Sequence, residues 1–286
     1  MRAAVCGSPI QHSLSPALHR AAYAALELDG WEYDLLEVDE ERLPQVVDAL
    51  DATWAGLSLT MPLKQAIVGL VDEVSDFARA VGSVNTVVVQ PRLDRRGVPG
   101  RRGVRLRAEN TDVIGLVTAL AEAGAERVAR GVVLGGGATA RSAVVALLQA
   151  GCARPVVVVR SPARAAELRA VAARLGGELD VRDWAELPVA LTADVVVSTV
   201  PIGASPAMTE ALLGPFRPVW WPVLLDVVYA PWPTPLAAAW GGVAVGGFEM
   251  LLHQAAAQVQ LMTGRTPPVE AMRAAGLAAL RARAQA

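Results

Sequence analysis

One lysine, Lys64, stands among 286 residues against twenty-five arginines. Asparagine is nearly as scarce, with Asn85 in Val-Asn-Thr and Asn110 in Asn-Thr-Asp, and cysteine is limited to Cys6 and Cys152. Each scarcity excludes something. Two distant cysteines without metal-ligand spacing rule out a disulfide scaffold and a cysteine metal centre, and each reads as a small buried residue of a reducing compartment. No metal is expected. The formal net charge of −2 gives no general pull toward nucleic acid or an anionic membrane. No apolar run approaches the ~20 residues of a membrane span, and the stretch before Gly7-Ser8-Pro9 is too short for a signal peptide. Internal repeats and low-complexity linkers are absent. With 53% hydrophobic and 19% charged residues, the chain has ample material for one large or two ordinary cores. A soluble, cytoplasmic protein is expected.

What is present alternates strand and helix patterns, the mark of an α/β fold with largely parallel sheets. The first part predicts strands at 2–6, 31–38 and 54–59, helices at 15–28 and 40–50, and helical segments filling 63–81. A strand pair at 84–90 and 104–108 follows, joined by an Arg- and Gly-rich loop over 91–103 to which no function is assigned. From 112 onward the pattern predicts helices at 112–123, 138–150 and 162–175. Strands are expected at 131–134, 156–159, 178–182, 194–199, 223–228 and 243–245. Two helices, 248–263 and 268–284, end the chain. The continuous apolar runs at 132–134 and 156–159 suit strands covered by helices on both faces.

Polar residues are concentrated at the ends of these segments. Gly135-Gly136-Gly137-Ala138-Thr139-Ala140 follows a strand and opens a helix, the setting in which a G-x-G-x-x-A turn cradles a dinucleotide pyrophosphate. The next strand ends in Arg160-Ser161-Pro162-Ala163-Arg164, with no acid before Glu167. Two guanidinium groups and a hydroxyl suit the 2′-phosphate of NADP, where NAD would ask for a carboxylate. Ser13 and Ser15 flank the start of a helix with Pro16, and two hydroxyls at a positive helix end suit an anionic group such as a carboxylate. Ser15 alone also reads as an ordinary N-cap. His12 and His19 receive no role.

Thr60-Met61-Pro62-Leu63-Lys64 puts a hydroxyl and the sole amine at the carboxyl end of a strand, where open α/β sheets bind ligands. Arginine cannot give up its proton, so a lone lysine in an arginine-rich chain marks a place where proton transfer matters. Asn85 and Asp112 bring an amide and a carboxylate to other segment ends, though Thr111 or Asp112 would also serve as a helix cap.

Taken in order, these islands resemble the shikimate dehydrogenase family along nearly the whole chain. Gly7-Ser8-Pro9-Ile10-x-His12-Ser13-x-Ser15-Pro16 resembles its substrate-carboxylate loop, and Ser58-Leu59-Thr60-Met61-Pro62-x-Lys64 the segment of its catalytic lysine. Val84-Asn85-Thr86 and Asn110-Thr111-Asp112 resemble its substrate amide and catalytic aspartate. Asp226-Val227-Val228-Tyr229-x-Pro231-x-x-Thr234-Pro235 and Gly247-x-x-Met250-Leu251-x-x-Gln254-Ala255 complete the set. The resemblance implies that Tyr229 and Gln254 face substrate, with Val227 and Gly247 near the nicotinamide.

Three places depart from the family pattern. Val159-Arg160-Ser161 stands where Asn-Arg-Thr is frequent, Val197-Ser198-Thr199 where Asn-Ala-Thr is common, and the turn reads Gly-Gly-Gly-Ala-Thr-Ala for Gly-Ala-Gly-Gly-Ala-Ala. The first two changes each remove an amide on the cofactor side.

The resemblance further implies two domains: a substrate domain over 1–110, rejoined by helices from 247–286, and a Rossmann NADP domain over 111–246. Its activity would be NADP-dependent interconversion of 3-dehydroshikimate and shikimate in aromatic amino-acid biosynthesis. Lys64 and Asp112 would be catalytic, and Ser13, Ser15, Thr60, Asn85, Tyr229 and Gln254 would bind substrate. The protein would work on a small-molecule substrate as a monomer or homodimer. The neighbouring alternatives are an NAD-using quinate/shikimate dehydrogenase and a binding paralogue without turnover.

Overall fold

The computed structural model describes residues 1–93, 99–161, 165–214 and 218–285. The chain divides into two compact units, Met1–Thr111 with Gln254–Ala286, and Asp112–His253. Among the described residues no helix is long and apolar enough to cross a membrane.

The first unit is built on strands β1 (Arg2–Gly7), β2 (Glu32–Glu37), β3 (Trp54–Leu59), β4 (Glu73–Val74), β5 (Thr86–Leu93) and β6 (Pro99–Glu109). They form one sheet in the order β2-β1-β3-β5-β6-β4. β1 runs parallel to β2 and β3, and β4 parallel to β6, while β5 is antiparallel to both its neighbours. The Arg-rich loop expected over 91–103 is shorter than the sequence suggests, because β5 and β6 continue into it, and residues 94–98 lie outside the described residues.

The stretch expected to be helical over 63–81 is broken. It holds α3 (Leu63–Ala66), a 3-10 turn at Ile67–Gly69, β4, and α4 (Asp76–Val81). The cause is tertiary pairing: the Asp72 carboxylate and backbone N–H bind Leu106 N–H and C=O at 2.8 and 3.1 Å, drawing the segment to the sheet edge. Helices α1 (Ser15–Ala25) and α2 (Leu43–Asp48) lie where the pattern put them, slightly shorter. Leu57, Leu59, Leu63, Ile67, Val87 and Leu106 belong to the core. Those apolar positions at strand and helix spacing bury the faces that would otherwise meet water.

The second unit carries β7 (Gly131–Leu134), β8 (Val156–Val159), β9 (Asp180–Asp183), β10 (Val195–Ser198), β11 (Val223–Asp226) and β12 (Ala244–Gly246). All pairings are parallel, in the order β12-β11-β10-β7-β8-β9. This is the doubly wound order, and its direction reverses between β7 and β10, where such sheets open a ligand crevice. Helices α5 (Asp112–Glu122), α6 (Ala138–Gln149) and α7 (Ala166–Arg174) agree with the pattern. A 3-10 segment at Trp184–Thr192 and helices α8 (Ser205–Leu213) and α9 (Pro235–Ala239) were not signalled. The last two helices are α10 (Gly247–Thr263) and α11 (Val269–Ala284). From Gln254 onward they belong to the first unit, where α11 packs on α1.

His19 has a stability consequence. It is fully buried, its ring stacks on Tyr33 at 3.9 Å between centroids, and Nδ1 lies 2.9 Å from the Ser15 carbonyl. Burial lowers its pKa from 6.5 to about 4, against an opposing contribution from the Ser15 carbonyl. The folded chain therefore refuses a proton that the unfolded chain accepts. Its contribution is intact above pH 6.5 and is lost as pH falls toward 4, by up to about 3 kcal/mol. Urea midpoints measured from pH 7 to 4 should show this slope. His19→Phe, which keeps a ring against Tyr33, should flatten it by about one proton; an unchanged slope would locate the acid sensitivity elsewhere.

Candidate active site

The loop after β1 is fixed from three sides within the first unit. The Glu37 carboxylate accepts from Ser8 Oγ at 2.7 Å and Ile10 N–H at 3.2 Å. Arg283 of α11 donates to the carbonyls of His12 and Ser13 at 2.6 and 2.9 Å. The Ser13 hydroxyl accepts from Ser15 N–H at 3.2 Å, which leaves its own proton for another acceptor. Ser15 is the first residue of α1 and not its cap. The cap position is Leu14, which makes no side-chain cap bond, and Pro16 occupies the first turn. Simple capping by Ser15 is thus corrected: the helix begins one residue earlier than that role requires. Ser15 is buried and Ser13 half-buried.

Thr60 follows β3, its N–H bonded to the Cys6 carbonyl at 3.0 Å, and its carbonyl accepts from Leu63 N–H at 2.8 Å. Lys64 sits half-buried in the short helix α3. Its carbonyl accepts from Val84 N–H at 3.0 Å, and the Asn85 carbonyl accepts from Leu59 N–H at 2.7 Å. Backbone bonding therefore draws the lysine segment and the Val-Asn-Thr segment together.

Asn85 is held by its neighbours. Its Oδ1 accepts from Thr111 N–H at 2.8 Å and Thr86 Oγ1 at 2.9 Å, and its Nδ2 donates to Thr111 Oγ1 at 2.9 Å and Gln254 Oε1 at 3.2 Å. Gln258 donates to Thr86 Oγ1 at 2.9 Å and accepts from Ser58 Oγ at 2.7 Å; Ser58 Oγ in turn accepts from Tyr33 Oη at 2.6 Å. The result is a buried polar chain from Tyr33 to Gln254, in which each amide's rotamer is set by the next. Burial pushes the Tyr33 phenol well above its usual range, opposed by its bonds to Ser58 and Ser15, so it stays a neutral donor. The sequence reading found Asn85 and Gln254 but missed Thr86, Thr111 and Gln258. One signal for Gln258 existed: it stands four residues after Gln254, on the same face of α10. Asn110 has a local job, donating to the Ser83 carbonyl at 2.8 Å.

In the second unit Gly135 has φ +112°, a conformation open to glycine, and a Cβ there would strike Thr199 Oγ1. Gly136 follows, and Gly137 precedes the first turn of α6, where a Cβ on it would meet open space; the N–H groups of the helix's first turn, at Ala138 and Thr139, have no partner within the helix. Thr199 bonds the Leu134 carbonyl through both N–H and Oγ1 at 2.9 Å, tying the ends of β10 and β7 at the switch point. Arg160 is exposed and Ser161 half-buried at the end of β8. Arg164 lies outside the described residues. Glu167, the first acid after β8, has its carboxylate 2.9 Å from Arg141 of α6.

Asp226 ends β11 as a buried carboxylate that accepts from Thr234 Oγ1 at 2.8 Å and Val228 N–H at 3.3 Å; burial raises its pKa and those bonds oppose the rise. It fixes the bend that presents Val227 and the half-buried Tyr229. Gly247 N–H donates to the Val228 carbonyl at 3.1 Å, and a Cβ at 247 would run into the Val227 carbonyl, so only glycine allows this approach. Asp112, 3% exposed, is the first residue of α5.

Known proteins share this plan. The shikimate dehydrogenase substrate binding domain pattern matches residues 5–87, and the shikimate 5'-dehydrogenase C-terminal domain pattern matches 247–275. A shikimate dehydrogenase (NADP(+)) of Moorella thermoacetica is 35% identical, the alignment covering 94% of this chain and 90% of that protein. The crystal structure of Mycobacterium tuberculosis shikimate dehydrogenase superimposes with a TM-score of 0.83 at 40% identity, over 97% of this chain and 99% of that one. The Thermus thermophilus shikimate 5-dehydrogenase, solved in complex with NADP(H) and shikimate, gives 0.80 at 32% identity, over 98% and 99%. Relatedness at this level, over nearly the full length of both chains, places the chain in the shikimate dehydrogenase family.

Proposed function

We propose that the protein catalyses the reversible NADP-dependent interconversion of 3-dehydroshikimate and shikimate, a step of aromatic amino-acid biosynthesis. The observation that carries this reading is the Asn85–Gln254 amide pair, locked rigid beside the segment of the only lysine. A polyhydroxylated acid needs fixed amides for its hydroxyls, a holder for its carboxylate, and an acid–base group for its reacting carbon. Ser13 and Ser15 are the carboxylate holders; Thr60, Asn85, Tyr229 and Gln254 are the hydroxyl partners.

In the oxidation direction the neutral Lys64 amine accepts the proton of the reacting hydroxyl at Nζ, and in reduction the ammonium returns it. The Asp112 carboxylate orients that hydroxyl for the transfer. NADP, when bound, supplies the hydride chemistry that no side chain can perform. Gly135, Gly136, Gly137, Ala138 and Thr139 would receive its pyrophosphate at the start of α6, with Arg160, Ser161 and Arg164 at the 2′-phosphate and Val227 and Gly247 near the nicotinamide. The fit is supported by the positive φ of Gly135 and the open space at Gly137. It is supported also by the pairing of Glu167 with Arg141, which leaves the end of β8 basic.

Steady-state oxidation of shikimate and quinate, each with NADP and with NAD, tests the reading. Turnover should be highest with shikimate and NADP. Preference for quinate with NAD, or binding without turnover, would replace it. On the cofactor side, Arg160→Ala should weaken NADP by about 10-fold, ~1.4 kcal/mol, and leave NAD almost unchanged. Equal losses for both cofactors would mean that Arg160 serves the fold or the pyrophosphate.

A further inference from the structure

The second unit holds a cluster that the proposed reaction does not use. Glu249 and His253 stand four residues apart on α10, a spacing that sets two side chains on one helix face. Glu122 is the last residue of α5. One carboxylate oxygen from each glutamate and one ring nitrogen of His253 all lie within 4.8 Å of one another. The histidine is 8% exposed, so its ring has given up water. Its Nε2 comes to 3.1 Å from Glu122 Oε1, close enough for an ion pair, yet completes no hydrogen bond. A buried ring nitrogen that completes no hydrogen bond is a polar atom still lacking a full partner, and this one lies within the cluster.

We propose that Glu122, Glu249 and His253 together bind one divalent transition-metal ion of the zinc class. The ligand types select this class. Two carboxylates and an imidazole are the mixed oxygen and nitrogen set that Zn²⁺ accepts at about 2.0–2.2 Å, with a fourth, tetrahedral position open to water. Mg²⁺ needs near-ideal octahedral oxygen ligands and Ca²⁺ six to eight oxygens, so neither suits a site with an imidazole. Ligand atoms bound to one zinc ion sit ~3–3.5 Å apart, so the cluster has little more than an ångström to close by side-chain rotation. A dication also offsets the repulsion of two carboxylates brought together beside a buried ring. No sequence pattern marks the site, because its third ligand comes from a helix far away along the chain.

The location suggests what the ion does. It ties the end of α5, whose first residue is Asp112, to the opening turns of α10, where Gln254 directly follows His253. A bound ion therefore stiffens the two helices from which these side chains emerge, and stabilises the folded chain by mass action.

The test uses the full-length protein, stripped with EDTA, dialysed, and titrated with ZnCl₂ by calorimetry, with MgCl₂ as the comparison. One Zn²⁺ should bind per chain, with little Mg²⁺, and zinc should raise the melting temperature. Co²⁺ in its place should show the visible absorption of a four-coordinate site. Glu122→Gln is the main variant because that side chain is exposed and its loss should not unfold the protein, which circular dichroism checks. It and Glu249→Gln should each weaken zinc by at least about 10-fold. Absence of zinc binding, equal binding of magnesium, or unchanged zinc affinity in folded Glu122→Gln would each overturn the proposal and leave the cluster a histidine–glutamate ion pair.

Discussion

Lys64→Arg should lower kcat for shikimate oxidation by at least ~10²-fold, equivalent to about 2.7 kcal/mol of transition-state stabilisation. The guanidinium keeps the positive charge and approximately the reach of the amine. It cannot lose a proton at any working pH, so it serves neither as base for the hydroxyl nor as the acid that returns the proton. Shikimate KM should change far less than kcat, because charge and hydrogen-bond donors survive. A variant that keeps most of its turnover would reduce Lys64 to an electrostatic anchor and move the proton to Asp112 or to water. The substitution is informative here because the chain already uses arginine at every other basic position; a site content with charge alone would not need the exception.

Much of this candidate site is legible in the sequence as local signals. The valine strands β7 and β8 and the glycine turn after β7 are local signals, and the helix start after Gly137 needs no distant residue to be recognised. The scarcity of lysine and asparagine did the rest, since a residue type used once or twice stands out against an alanine- and arginine-rich background. What stayed hidden depends on tertiary partners. β4 is two residues long and exists because Asp72 and its neighbours pair with β6. Helices α8 and α9 are only nine and five residues long, and helices this short are marginal on their own, so their helical form depends on packing. Gln258, Thr86 and Ser58 are ordinary polar residues in sequence, and only the folded chain shows that they carry the orientation of Asn85 back to Tyr33. His19 looked unassignable and proves to be core, its ring between helix α1 and Tyr33.

The carboxylate end of the substrate gives the second large effect. Replacing Ser13 and Ser15 together with alanine should raise shikimate KM by at least ~10²-fold, while NADP binding stays near wild type. A hydrogen bond to a charged group contributes about 1.5–3 kcal/mol, so two lost together come to ~3 kcal/mol or more. The loop itself should survive the change. Glu37 fixes its start and Arg283 its backbone through carbonyl acceptors at His12 and Ser13, and none of those bonds uses a serine hydroxyl at 13 or 15. Two bonds do disappear: the one from Ser15 N–H to Ser13 Oγ, at a helix start where water can take its place, and the one between the Ser15 hydroxyl and Tyr33, whose phenol keeps its bond to Ser58. Measuring KM for shikimate against a substrate analogue lacking the carboxylate separates the two explanations of a loss. If the serines hold the carboxylate, the analogue is already poor with wild type and the double variant makes it little worse. If both compounds lose affinity alike, the loop has collapsed. An unchanged shikimate KM would remove the carboxylate from this loop altogether.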